Sequence, residues 1–130
     1  MIIAVPIENG YIANQFAKAK IIRFYQIENH KIKSYVDIDV TLLSNIGRSK
    51  LINEKLTHTL LTYKVTSLVE FMLDRYKINL VTGASGEPDI AVDLLIKNRQ
   101  LMLEEYMTSL KENQQINCDE VGICSQEQED

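Results

Sequence analysis

Residues 78–95, with the sequence INLVTGASGEPDIAVDLL, carry the pattern from which the fold is predicted. The continuous apolar run at residues 78–81 predicts a buried strand. Gly83 and Gly86 permit the positive φ angles of a tight turn after that strand. Pro88 suits the first turn of a helix, because its missing N–H would have no helical partner there. The stretch therefore predicts a strand, a turn and a helix.

The turn between this strand and helix is also a candidate binding site, made of Gly83, Ala84, Ser85 and Gly86. Backbone N–H groups that point outward at the start of a helix can hold an anion. A GxxG sequence between a strand and a helix more often serves only to connect them, so the pattern alone is not specific.

Length and composition are those of a single soluble domain. The chain has 130 residues, of which 45% are hydrophobic and 25% charged, and this is enough for one core. No apolar run approaches the roughly 20 residues needed to span a membrane, and no signal peptide is recognisable, so we expect a cytoplasmic protein. The net charge is −4, and five acidic residues lie within the last thirteen positions. The nearly neutral remainder has no basic stripe, which argues against nucleic acid as a partner.

The remaining elements are predicted from hydrophobic periodicity. Residues 1–7 are continuously apolar and predict a strand that is buried on both faces. Residues 21–27 and 32–40 predict two further strands, which form an antiparallel meander with the first. A connecting loop is predicted between the first two strands. A helix, a strand, a helix, a strand and a helix then follow at residues 47–55, 56–63, 67–76, 78–81 and 88–106.

The first two helices have sequence patterns typical of helix starts. Ser44-Asn45 offers a cap for the first helix, and Ser67 with Glu70 matches a capping box for the second. The buried stripe of the second helix is predicted at Leu68, Phe71, Met72 and Tyr76.

The predicted organisation is an α/β domain over residues 1–110 and a disordered acidic tail over residues 111–130. Cys118 and Cys124 lie in this tail and are expected to be reduced in a cytosolic protein. As thiolates they are candidate ligands for iron–sulfur or molybdenum–sulfur species. Two thiols alone leave a metal site incomplete, and the alternative is a solvated tail with free thiols.

The order of elements is that of a ribonuclease H-like mixed five-stranded sheet, and residues 1–98 resemble the dinitrogenase iron-molybdenum cofactor biosynthesis family. The resemblance rests on MIIAVPIENG, on Phe16 with Ala19, on IENHKI and on LVTGASGEPDIAVDLL. It implies a carrier of an iron–sulfur or iron–molybdenum cluster, as in nitrogen fixation. It also implies metallocofactor assembly proteins or an apo-target protein as partners.

The chain departs from this family in its loops. Where many members have His-Phe-Gly, this chain has Gln15-Phe16-Ala17, and residues 44–47 and 63–67 replace loops that are richer in glycine. The resemblance implies that Gln15 and Phe16 bind the cluster together with the turn at residues 83–86. The departures leave open a second interpretation, a protein-interaction module of the same fold that has lost cluster binding.

We expect no enzymatic activity. A metal-dependent nuclease of this fold needs a carboxylate in the middle of the first strand, and residues 2–7 contain none. The sequence also lacks a P-loop, a Ser-His-Asp arrangement and an activated-cysteine motif. His30 is interpreted as a turn residue, and Lys18, Lys20 and Lys64 could offset the charge of an anionic cluster.

Overall fold

The structure is a computed structural model that describes residues 1–98. Its strands are β1 (Ile2–Glu8), β2 (Tyr11–Ile12), β3 (Ile21–Glu28), β4 (Lys31–Asp39), β5 (Thr59–Leu61) and β6 (Asn79–Val81). Its helices are α1 (Asn45–Glu54), α2 (Ser67–Arg75) and α3 (residues 88–98), with a short 3-10 turn at Phe16–Lys18. Residues Met1–Leu95 form one compact unit. The predicted domain boundary at residue 110, the tail, Cys118 and Cys124 lie outside the described residues.

The strands form one mixed sheet in the order β4-β3-β1-β5-β6, with β2 also paired to β1. As predicted, β1 is central, β1, β3 and β4 form an antiparallel meander, and β5 and β6 are parallel. The predicted number of five strands is wrong, because the sheet has six. Asn9 and Gly10 both have positive φ angles, 54° and 84°. They make a two-residue turn that returns Tyr11–Ile12 antiparallel to the end of β1, where a connecting loop had been predicted.

The hairpin between β3 and β4 closes through a second turn of this kind. Asn29 and His30 have φ angles of 53° and 62°, which are the values of a type I′ turn, and this turn matches the twist of the flanking strands. His30 is exposed and acts as a turn residue, as predicted. The pairing register shifts between Gln26 and Ile27, so that Lys33 is the extra residue of a β-bulge.

One face of the sheet is covered by α1 and α2. Its core includes Ala4, Ile22, Phe24, Ile52, Leu60, Val69 and Leu73. The predicted stripe of α2 is therefore wrong in part: Val69 and Leu73 are buried, whereas Leu68 and Phe71 are 47% and 59% exposed. Residues four apart share a helix face. Val69 and Leu73 therefore define the buried face of α2, and Leu68 and Phe71 lie outside it.

The ends of the elements account for the other differences. Ser44 caps α1 as predicted, and its hydroxyl accepts a hydrogen bond from Gly47 N at 3.1 Å. The cap of α2 is Thr66, whose hydroxyl accepts from Val69 N at 3.4 Å, and the predicted cap Ser67 is the first helical residue. None of the helices within residues 1–98 has the length and the apolar composition of a membrane span.

Candidate functional site

The candidate site lies at the edge of the sheet where the parallel strands end. In α/β proteins ligands bind preferentially outside the carboxyl ends of such strands. The loop after β6 is joined to the loop after β5 by hydrogen bonds from Gly83 N to Tyr63 O at 2.8 Å and from Ala84 N to Thr62 O at 3.1 Å. It is also joined to β2, because Ile12 N donates to Gly86 O at 2.9 Å. Two loops and the strand β2, which are distant in sequence, thus meet at one edge.

Two cavities open among these loops. The first cavity has a volume of about 300 Å³ and is lined by Gln15, Phe16, Ala17, Asn45, Lys64, Val65 and Thr66. The second cavity has a volume of about 410 Å³ and is lined by Tyr63, Lys64, Val65, Glu70, Leu80, Thr82 and Gly83. Both volumes are in the range of small-molecule sites. Lys64 and Val65 belong to both walls, so the exposed ammonium of Lys64 serves both cavities.

The structure places the predicted site residues at this edge, but they do not line one common cavity. Gln15 and Phe16 line the first cavity, whereas Gly83 lines the second. Ala84, Ser85 and Gly86 continue the same loop and do not belong to the described wall of either cavity. As predicted, Gly83 and Gly86 have positive φ angles, 88° and 87°.

The amides of the glycine turn are less available than the sequence suggests. Gly83 N and Ala84 N already donate to the carbonyl groups of Tyr63 and Thr62. An N–H group donates a single proton, so a ligand could use these two amides only by breaking the hydrogen bonds that hold the two loops together. The turn therefore contributes to the site mainly by fixing the position of the loop that carries Lys64.

Arg48 was not singled out from the sequence, yet it is the most constrained charged side chain behind the site. It lies in α1 and is only 3% exposed. Its Nη1 donates to Phe16 O at 2.9 Å and to Ala19 O at 2.5 Å, and its Nε donates to Leu43 O at 2.9 Å. Burial lowers the pKa of this guanidinium. The side chain thus joins α1 to the turn that carries Phe16 and places a positive charge behind the wall of the first cavity.

Asn45 adds a polar group to the same wall. Its Oδ1 is buried and has no hydrogen-bond partner among residues 1–98. A buried amide without a protein partner usually has a water molecule or a ligand as its partner. The side chain is therefore available to a group bound in the first cavity.

Side-chain metal ligands are not clustered in the described part of the chain. Residues 1–98 contain no group of three or more histidines, cysteines, aspartates or glutamates that could hold a metal ion. His58 Nδ1 lies 2.8 Å from Thr59 Oγ1. A ligand in either cavity would therefore be held by cations and hydrogen bonds unless residues beyond 98 supply metal ligands.

A second polar cluster lies on the other face of the sheet, where α3 begins. Tyr25 Oη donates to Asp89 Oδ1 at 2.5 Å, and both burial and this carboxylate raise the pKa of Tyr25. Arg23 makes two hydrogen bonds to Asp37, at 2.7 and 3.1 Å, and its Cζ lies 4.1 Å from the ring centre of Tyr35. The bond between Tyr25 and Asp89 attaches the start of α3 to the sheet.

Solved structures share this fold at low sequence identity. A protein named PH0822 is 20% identical, with a TM-score of 0.71 over 75% of this chain and 90% of that one. A "putative dinitrogenase" from Methanocaldococcus jannaschii is 17% identical, with a TM-score of 0.64 over 75% and 89%. A "putative NifB protein" from Thermotoga, described as belonging to the DUF35 family, is 15% identical, with a TM-score of 0.61 over 75% and 89%. No family model and no curated protein matches the chain. Identities this low show a common fold and nothing further.

Proposed function

We propose that this chain is a non-catalytic carrier that binds an anionic iron–sulfur or iron–molybdenum cluster in the first cavity and passes it to a partner in metallocofactor assembly. The observation that carries the proposal is that Lys64 lies in the wall of the first cavity, while the buried Arg48 donates a hydrogen bond to the carbonyl of Phe16, another residue of that wall. The names of the solved structures with the same fold, which refer to dinitrogenase and NifB proteins, agree with this proposal.

The electrostatic argument depends on where the two cations lie. Lys64 is exposed and can approach a bound anion directly, whereas Arg48 is fixed. Charges near a protein interior interact at an effective dielectric constant of about 20 rather than 80, so the field of Arg48 is screened less than that of a surface lysine. Its hydrogen-bond partners are backbone carbonyls. Within residues 1–98 no carboxylate forms an ion pair with Arg48, so nothing in this part of the chain neutralises its charge.

The absence of clustered ligands among residues 1–98 suits a carrier more than a permanent holder. Without thiolate bonds from this region, a cluster would be held here by Lys64 and by the polar side chains of Gln15, Asn45 and Thr66, and its release would break no metal–sulfur bond to residues 1–98. Cys118 and Cys124, which lie outside the described residues, remain predicted as additional ligands.

The remaining parts of the proposal are the fold class, the absence of catalysis and the location. We infer that the fold is ribonuclease H-like, because the order of strands and helices agrees with that class. The strand β1 has only apolar residues from Ile2 to Ile7, which supports a binding protein rather than a two-metal nuclease. We further propose that the chain acts in the cytoplasm with assembly proteins or an apo-target protein.

The test is anaerobic reconstitution of the full-length chain with iron, sulfide and molybdate, followed by absorption spectra and metal analysis. We expect bound metal in the wild type and at least about tenfold weaker retention in Lys64→Ala, because a direct charge-assisted contact is lost. Lys50→Ala, which removes an exposed lysine from α1, is the matched control and should retain the metal.

Two outcomes would contradict the proposal. If the wild type binds no metal, the carrier function is wrong. If binding is unchanged in Lys64→Ala but abolished in Cys118→Ser/Cys124→Ser, the first cavity is not the site.

The second candidate function is a protein-interaction module of the same fold. It is favoured by exposed apolar side chains around the start of α1, where Leu42 is 98% exposed and Ile46 is 44% exposed. Stoichiometric cluster binding, together with a pull-down from native extract that recovers no partner, would reject it.

A further inference from the structure

The described wall of the first cavity contains a cation and neutral polar groups but no carboxylate. Its polar members are one ammonium, one hydroxyl and two amides, from Lys64, Thr66, Gln15 and Asn45. The wall of the second cavity shares Lys64 but also contains the carboxylate of Glu70. A cleft lined by charge of one sign concentrates ions of the other sign. An anion is therefore favoured in the first cavity and opposed by Glu70 in the second.

Two helices begin at the wall of the first cavity. Asn45 is the first residue of α1, and Thr66 is the N-cap of α2. The start of a helix carries a partial positive charge of about 0.5 elementary charge. The first turn of α1 contains no acidic residue, and that of α2 contains only Glu70, which belongs to the second cavity. Both helices therefore place the positive ends of their dipoles at the same cavity.

Each of these helix starts also has backbone N–H groups to donate. The first N–H groups of an α-helix have no carbonyl partner within the helix. The caps Ser44 and Thr66 accept hydrogen bonds from the N–H groups of Gly47 and Val69. The amides that remain without a partner in their own helix are those of residues 45, 46, 67 and 68. Such amides are recurrent donors to bound anions.

Hydrogen-bonding capacity is also left unused at this end of the sheet. Within residues 1–98, two of the three buried polar side-chain atoms without a partner are Asn45 Oδ1 and Thr62 Oγ1. Thr62 is fully buried and directly follows β5. Its side chain falls on the same face as that of Leu60, which packs in the core beneath α1 and α2. Buried polar groups of this kind usually pair with a water molecule or a ligand.

We propose that the first cavity binds a tetrahedral oxyanion of the phosphate, sulfate and molybdate type. The proposal rests on the cavity of the proposed function but requires no cluster. Its donors are the Lys64 ammonium, the Thr66 hydroxyl and the free amides of the two helix starts, which suit oxygen acceptors. The amide of Asn45 can join them, because rotation about χ2 exchanges its Oδ1 with its Nδ2.

The size and the charge of the cavity agree with such an ion. The volume is about 300 Å³, and a water molecule takes about 30 Å³ of the liquid, so a five-atom anion fits with part of its hydration shell. The buried Arg48, which donates to Phe16 O, adds a positive charge behind the wall. A dianion gains more from this field than a monoanion of the same shape.

The test is titration calorimetry of the full-length chain with sodium phosphate, sodium sulfate and sodium molybdate, in a buffer without iron or sulfide. We expect at least one of these anions to bind with a dissociation constant below about 1 mM. Perchlorate, which has the same shape and a single charge, should bind more weakly. The order of affinities among the three dianions identifies the source of the oxyanion. At saturation, the NMR signals of amides 45, 46, 67 and 68 should shift.

Two substitutions in the wall test the location. Lys64→Ala removes the ammonium and should raise the dissociation constant about tenfold or more. Asn45→Asp places a carboxylate in the wall and should have at least this effect, although an acidic residue in the first turn stabilises a helix. Asn53→Asp makes the same change at an exposed position near the other end of α1 and is the matched control. Circular dichroism checks that each variant keeps the fold.

Oxyanion binding and cluster binding are measured separately, and iron content distinguishes a cluster from bound molybdate. A wild-type chain that binds none of the three dianions overturns the oxyanion site, whatever reconstitution with iron and sulfide gives. Binding that neither wall substitution weakens also overturns it. Oxyanion binding that Lys64→Ala weakens, in a chain that takes up no iron, upholds this site and refutes the carrier function.

Discussion

Replacing Arg48 with alanine should destabilise the domain, because the side chain supplies hydrogen bonds to three backbone carbonyls. The bonds to Phe16 O and Ala19 O are buried, whereas the bond to Leu43 O is partly exposed, so water can replace it. Each buried carbonyl left unpaired costs about 1–3 kcal/mol. Against this loss, the variant no longer buries a guanidinium, and that burial lowers the arginine pKa. We expect the free energy of unfolding to fall by about 3 kcal/mol.

Urea denaturation of the full-length chain, followed by circular dichroism, measures this loss. With a slope of about 1–3 kcal/mol per molar urea, the midpoint should fall by about 1–3 M. Arg48→Lys should be intermediate, since an ammonium cannot reproduce the planar fork of the guanidinium. The control is Arg75→Ala, at an exposed arginine of α2, with an expected change within about 0.5 kcal/mol. If Arg48→Met is as stable as the wild type, the cost of burying the charge exceeds the gain from the carbonyls and the reasoning is refuted.

Three further predictions concern local features. Gly86→Ala should lower the free energy of unfolding by about 1 kcal/mol. The φ angle of Gly86 is 87° and an added Cβ would contact nothing within 4 Å, so backbone strain alone opposes the substitution. An unchanged urea midpoint would contradict this. Thr66→Ala should lower the free energy of unfolding by about 1 kcal/mol, because the N-cap of α2 is lost. Ser67→Ala should change the urea midpoint little. A larger loss for Ser67→Ala than for Thr66→Ala would instead support Ser67 as the cap. The raised pKa of Tyr25 stabilises the fold at any pH below the unfolded value of about 10, and this stabilisation is lost as the pH rises above it. Tyr25→Phe should therefore lose less stability than the wild type between neutral and strongly alkaline pH, and equal losses would show that Tyr25 does not titrate in this way.

The sequence predicted the arrangement of the sheet wherever the hydrophobic period was clear. The continuous apolar run at residues 1–7 indicated a central strand, and β1 is central. Some errors arose at the ends of elements, where neighbouring residues have the same chemistry. Thr66 and Ser67 both carry a hydroxyl that can cap a helix, and only the backbone angles of the folded chain select Thr66.

The candidate site was predictable only in part. The glycine turn was recognisable because positive φ angles favour glycine, but the partners of Gly83 N and Ala84 N depend on how two distant loops pack. Arg48 had no recognisable sequence pattern, because its partners are backbone carbonyls and every residue has one. A buried cation that pairs with a carboxylate can sometimes be found by searching for the opposite charge, and no such search could have found Arg48.

The parallel pairing of β1 with β5 has a consequence for the order of folding. Ile3 pairs with Thr59, so this contact must close a long loop, whereas the hairpin of β3 and β4 closes through two residues. Local contacts form faster than contacts between distant segments. Pulse-labelling hydrogen exchange should therefore show earlier protection in the hairpin than at Thr59. During synthesis, one side of the central strand stays uncovered until the ribosome has released the residues of β5.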